Sequence, residues 1–186
     1  MMREILFRGK TKAITGCPYN NGKPDGEWVF GYVFSDLGAM KIRQYETDRP
    51  ECNDYEVDPE TVGQYTGVTD KNGTKIFEGD IIESVSRLVN SVGTPTGGTD
   101  ISRYIIEWGE HKWVKKIFFC NRGDYWKRDN VLPEDLYTYT ASRYSEVIGN
   151  IHDNPEMLNA AAKDIATDAD AGGLAPATEN FELMGG

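Results

Sequence analysis

Residues 103 to 128 hold the densest set of side chains able to engage a ligand. Seven bases lie there, Arg103, Lys112, Lys115, Lys116, Arg122, Lys127 and Arg128, against three acids, Glu107, Glu110 and Asp124. Trp108, Trp113, Phe118, Phe119, Tyr125 and Trp126 are interleaved with them. Bases track phosphates and aromatic rings stack on nucleobases, at roughly 1–3 kcal/mol per stacked base. On that chemistry Trp113, Lys115, Lys116, Arg122, Trp126, Lys127 and Arg128 are the candidate nucleic-acid-binding residues. A structural reading competes with it. In a strand from Trp113 to Phe119, period two sends Trp113, Lys115, Ile117 and Phe119 to one face. Lys112, Val114, Lys116 and Phe118 go to the other. Lys115 and Lys116 then point apart, one set of aromatics enters a core, and the lysines guard an edge against aggregation. The structural reading is favoured, with nucleic-acid binding as the alternative.

Other reactive residue types are sparse or scattered. Glu78 and Asp80 have the spacing of a general acid/base pair, but no His, Lys or nucleophile accompanies them. A turn is the simpler reading: Gly79 permits the bend and Asp80 accepts backbone N–H groups. Cys17, Cys52 and Cys120 form no CxxC pair, so they read as reduced thiols of a cytoplasmic protein rather than zinc ligands. His111 and His152 stand alone in separate segments. The sequence therefore leads us to expect no catalytic residue, no metal and no cofactor.

The chain has 186 residues, 39% of them hydrophobic and 11% aromatic, with a formal net charge of −10. Such a mixture belongs to a globular protein with a core of its own. The charge argues against a globally basic nucleic-acid binder. It is unevenly spread. Residues 1–54 sum to zero, and residues 155–186 carry −5. An acidic tail of this kind is usually solubilising, and a DNA-mimic inhibitor of a host protein is a further alternative. The N-terminus lacks a signal-peptide apolar run, and no segment has about 20 consecutive apolar residues for a membrane helix.

Strand signals dominate the elements that must position these residues. Segments 3–8, 27–34, 39–45, 81–89, 101–108, 113–119 and 145–151 are β-prone or alternate in polarity. Asn72-Gly73 predicts a hairpin turn, and Asn21-Gly22 punctuates a loop over residues 11–26. Asp58-Pro59 predicts a capped helical turn. Residues 90–100 read as a flexible loop, and residues 121–144 are mixed. The fold class expected is mainly β, with short helical turns. Its parts are an N-terminal β-rich unit (1–54), a small SH3-like barrel unit (55–158) and a disordered acidic tail (159–186).

Three segments taken together resemble the YopX family of phage and prophage proteins. They are Met2–Lys10 with Gly26–Tyr32, then Val57–Gly67 running on to Asp70–Ile82, then Glu146–Leu158. The resemblance covers residues 2 to 158 and departs from the family pattern at 90–100, at 121–144 and in the tail. It implies a β-rich, phage-encoded protein of the bacterial cytoplasm, with no reaction, cofactor or catalytic residue to transfer. The function expected is a non-enzymatic accessory protein that binds another protein or self-associates.

Overall fold

A computed structural model of the chain describes residues 4–13, 19–45, 52–89, 92–121 and 133–158. Cys17, the candidate nucleic-acid-binding residues Arg122, Trp126, Lys127 and Arg128, and the tail from residue 159, expected to be disordered, lie outside those residues.

The chain is mainly β, as the alternating segments require. Its strands are β1 (Phe7–Lys10), β2 (Tyr19–Asn20), β3 (Lys23–Pro24), β4 (Trp28–Asp36), β5 (Ala39–Tyr45), β6 (Cys52–Glu56), β7 (Gly63–Thr69) and β8 (Lys75–Phe77). Then follow β9 (Asp80–Val89), β10 (Pro95–Trp108), β11 (Trp113–Cys120), β12 (Glu134–Asp135) and β13 (Ser145–Asn150). A 3-10 turn spans Pro59–Thr61, a helix, α1, spans Thr138–Tyr144, and residues 155–158 are also helical. Two antiparallel sheets result. The first has the order β6-β5-β4-β1-β7-β8 and the second β12-β11-β10-β9-β13, with β2 and β3 a separate hairpin.

No closed SH3-like barrel is formed by the described residues of 55–158, because their strands divide between two sheets. β7 and β8 join the first sheet through β1, so that sheet draws strands from both sides of residue 54. The first sheet curls instead. β1 and β6 lie far apart in strand order, yet the residues that follow them meet at a bridge between Thr11 and Val57. The amide of Lys12 donates to the Glu56 carbonyl at 2.9 Å, reinforcing that closure. Inside the curl sits one core cluster of Val29, Ile42, Tyr55 and Val57. Gly31 makes the tight curl possible: a Cβ there would stand 2.0 Å from the Arg43 carbonyl oxygen.

The second core cluster joins the sheets. Val68 and Ile76 of the first sheet pack on Ile82, Tyr104, Ile106 and Trp113 of the second, with Ala141 of α1 closing one side. The period-two reading of β5 holds, with Ile42 fully buried. The Asp58 cap also holds, its carboxylate accepting from the Glu60 amide at 3.2 Å.

Two turn or loop readings need correction or refinement beside one that holds. Asn72-Gly73 lies in the expected hairpin, between the antiparallel β7 and β8, but only Gly73 takes a positive φ. Asp70 holds it instead, accepting from the amides of Asn72 and Thr74 at 2.8 Å each. Asn21-Gly22, read as loop punctuation, is the true two-residue hairpin turn between β2 and β3. Both of its residues have positive φ, the type I′ geometry that Asn-Gly favours. Residues 95–100, read as flexible loop, are the first part of β10 and pair with β9.

Candidate functional site

The β10–β11 hairpin carries the described half of the basic and aromatic stretch. Period two works at its turn end: Trp113 opposes Trp108 and Lys115 opposes Ile106 on the core-facing side. A bulge then intervenes, because Tyr104 pairs with Ile117 while its neighbour Arg103 pairs with Phe119. Phe118 is the extra residue, and Phe119 is turned to the face opposite Trp113, Lys115 and Ile117. The single face expected for those four is thereby corrected; a one-residue bulge inverts all side chains beyond it. The Arg103 guanidinium stacks on Phe119 at 4.9 Å as a result.

Lys115 and Lys116 do point apart. Lys115 lies on the core side with its ammonium 4.3 Å from the Tyr104 ring centroid and 2.8 Å from the Glu134 carboxylate. Lys116 lies on the open side, 3.7 Å from Glu107. Arg103 pairs with Glu83 at 2.9 Å and Lys112 with Asp135 at 2.6 Å. Every described base of the stretch thus has a carboxylate neighbour, although such exposed pairs exchange easily.

Trp113 is buried and its ring meets Trp108 edge-on, the centroids 4.7 Å apart. Beside them opens a cleft of about 350 Å³, lined also by Thr66, Val68, Lys112 and Tyr137. Trp113 Nε1 is shut from solvent and has no hydrogen-bond partner.

The polar seam between the sheets was not foreseen from sequence. Arg8 of β1 reaches Asp80 at the start of β9, Nη1 to Oδ1 at 2.6 Å, and its Nη2 donates to the Glu78 carbonyl at 3.0 Å. The guanidinium lies 4.7 Å from the Trp28 ring centroid and 5.0 Å from that of Phe77. Asp80 also accepts the Phe77 amide at 2.7 Å, as expected for the turn. Burial pushes the Asp80 carboxyl up to about 6, with Arg8 and the Phe77 amide pulling it back. A raised carboxyl beside a cleft is a site candidate, and a cleft of about 400 Å³ adjoins it, lined by Leu6, Phe30, Lys75 and Val147 among others. Both Asp80 oxygens are engaged by the fold, however, and Glu78 contributes its backbone carbonyl rather than a second acid.

A second contact closes the seam. Asp153 accepts from Trp28 Nε1 and Asn150 Nδ2 at 2.7 Å each and pairs with Lys10. Burial alone would raise its carboxyl, but the donors of Asn150, Lys10 and Trp28 outweigh it and hold it at about 2. Sequence offered a partial signal: Asn150 to Asn154 reads as a strand stop. Nothing linked it to residues 8–28.

Among the described residues, no cluster of His, Cys, Asp and Glu is placed to hold a metal ion. Cys52 is an exposed thiol, and the buried Cys120 thiol donates to Asp100 Oδ1 at 3.7 Å. No helix of the described residues is long and apolar enough to cross a membrane.

Two antiparallel sheets joined by a buried arginine–aspartate seam define a mainly β protein. The family model described as "YopX protein" matches residues 32–159. The chain belongs to the YopX family. No curated protein matches it. Among solved structures it is similar to protein EF1440 from Enterococcus faecalis, at 19% identity and a TM-score of 0.43, covering 84% of this chain and 99% of that one.

Proposed function

We propose that the chain is a phage- or prophage-encoded protein of the bacterial cytoplasm that works without catalysis, by docking on another protein or on a second copy of itself. The observation that carries this reading is the outer face of β4 and β5. Phe30, Tyr32 and Tyr45 are large, exposed rings on that one face, and Tyr32 and Tyr45 meet edge-on with centroids 5.9 Å apart. Contiguous exposed aromatic surface is costly in water and marks a surface that another molecule covers. Tyrosine suits such a place because it buries much area at small entropy cost.

Nucleic-acid binding through residues 103–128 has weaker support. The described bases lie against carboxylates, and the remaining ones are outside the described residues.

Purification of the tagged full chain from a bacterial host, followed by a mass measurement in solution, tests the reading. A stoichiometric protein partner or a defined homo-oligomer is expected, lost in a Tyr32→Ser, Tyr45→Ser double variant. A monomer without a partner overturns it.

A further inference from the structure

We propose that the open edge of β9, in the arm it forms with β10, takes an added strand from a partner protein: an extended segment with a carboxylate opposite Arg87 and an apolar residue opposite Val85. This extends the protein-interaction reading above to a second surface and rests on it for the class of ligand. The arm is what the strand register leaves over. β13 pairs with β9 only as far as Ser84, and β11 pairs with β10 only from Ser102 onward. Past those points β9 and β10 continue as two strands alone. Val85 lies opposite Ile101, Ser86 opposite Asp100 and Arg87 opposite Thr99. A two-stranded ribbon is marginal in water, and a third strand makes it stable.

The two edges of the arm are finished differently. On the β10 side, Asn121 runs along the backbone in place of a strand. Its amide donates to the Ile101 carbonyl at 3.1 Å. Its Oδ1 accepts the Ile101 amide and its Nδ2 donates to the Thr99 carbonyl, at 2.9 Å each. On the β9 side no strand of the described residues pairs beyond Ser84. The Leu88 carbonyl faces β10, where it accepts from the Thr96 hydroxyl at 3.2 Å. By alternation the N–H and C=O of Arg87 face the other way, onto the open edge. An extended chain adds to such an edge by main-chain hydrogen bonds, and its alternate side chains set the choice of partner.

The side chains on the edge select the occupant. Val85 and Arg87 share one face by period two. Val85 is 40% exposed. Arg87 is exposed and meets no carboxylate among the described residues, whereas Arg8, Arg43 and Arg103 each hold one. A second copy laid antiparallel on this short edge would bring Arg87 beside its own counterpart, and like charges across a strand pair repel. A strand with a carboxylate there gains an ion pair instead, and an apolar residue two positions away covers Val85.

The test is a titration of the ¹⁵N-labelled full chain with the end-blocked peptide Thr-Val-Thr-Glu-Thr-Val-Thr and with its counterpart carrying Lys in place of Glu. The Arg87 amide signal, identified by its loss in Arg87→Pro, is expected to shift with the Glu peptide and to exchange more slowly with solvent. The Glu peptide should bind about fivefold more tightly than the Lys peptide. Arg87→Glu should reverse that preference with the melting temperature unchanged, because the position is exposed. Arg87→Pro removes only an outward N–H and should weaken the Glu peptide about fivefold, the worth of one hydrogen bond. The proposal falls if the Arg87 signal does not move, if the two peptides bind equally, or if Arg87→Glu keeps the wild-type preference. It falls also if concentrating the chain alone protects that amide, since the occupant is then a second copy. The same titration of the Tyr32→Ser, Tyr45→Ser variant separates the two surfaces. A partner lost in that variant, with no peptide bound at β9, overturns the arm alone. Peptide bound at β9, with the partner kept in that variant, overturns only the role of the tyrosines.

Discussion

The outer face of the first sheet uses one set of residue types twice, with opposite outcomes. On β1, Arg8 lies between Trp28 and Phe77 and pairs with Asp80. On β5, Arg43 stacks on Phe34 at 4.9 Å and holds Asp54 with two hydrogen bonds of 2.7 and 2.8 Å. The second sheet covers the first set, leaving the Arg8 and Asp80 side chains 9% and 1% exposed. The second set stays open, with 39% and 33% exposure. Burial reverses the sign of the carboxyl shift. Asp80 is pushed up to about 6 by desolvation, whereas the Arg43 hydrogen bond holds Asp54 below its ordinary value. A cation, a ring and an acid therefore make a structural seam or an available surface depending only on what covers them. The surface left available includes Tyr32 and Tyr45.

The contrast is broken most severely at the covered pair. Asp80→Ala should cost about 3–5 kcal/mol, because it strands a buried guanidinium. Urea unfolding followed by tryptophan fluorescence reads that loss. Asp54→Ala should leave the midpoint nearly unmoved, and equal losses at the two sites would void the comparison.

Loss of the Trp28 N–H comes next. Trp28→Phe should cost about 1 kcal/mol, a hydrogen bond to a partly exposed carboxylate discounted for solvent screening.

The pH dependence separates the two acids by sign. Asp80 has a folded value of about 6 against an ordinary 3.8, so its contribution is full below 3.8 and is lost as pH rises through 6. Asp54, held below 3.8, contributes above that value and loses its contribution as pH falls past it. Across about pH 4 to 6, the wild type should therefore lose stability relative to Asp80→Asn, as measured by thermal melts. A parallel course for the two proteins would remove Asp80 from the seam's energetics.

The smallest effect on stability belongs to the open face. Tyr32→Ser with Tyr45→Ser should change unfolding by no more than about 0.5 kcal/mol per site, while abolishing association on a sizing column. A large loss of stability would make those rings structural.

Local signals in the sequence were legible wherever neighbouring residues decide the outcome. Asp58 caps its turn, Asp80 accepts the amide of its own turn, and Ile42 faces inward by period two. Signals fell short where a partner distant in the chain intervenes. Asn72-Gly73 does lie in a hairpin, but Asp70, which also accepts the distant Val147 amide at 3.0 Å, holds it in a turn geometry unlike that of Asn21-Gly22. The alternation of β11 reads correctly as far as Ile117, after which the bulge against β10 turns Phe119 over. Of the candidate site, Trp113, Lys115 and Lys116 fall on the hairpin as their strand periodicity implies. That their charges are matched by Glu134 and Glu107 was not legible, because cross-strand neighbours are set by register.

Composition and alternation by themselves determined that this is a mainly β chain with a core, and the three ordered segments placed it in its family. Those properties are carried by residue type and short-range spacing. Tertiary structure alone decided that the strands divide between two sheets instead of closing a barrel, because register and crossover are long-range choices. It also decided which arginine is buried. Arg8 and Asp80 are 72 positions apart, and only the packing of one sheet on the other makes them a pair while leaving the rings of β4 and β5 in water.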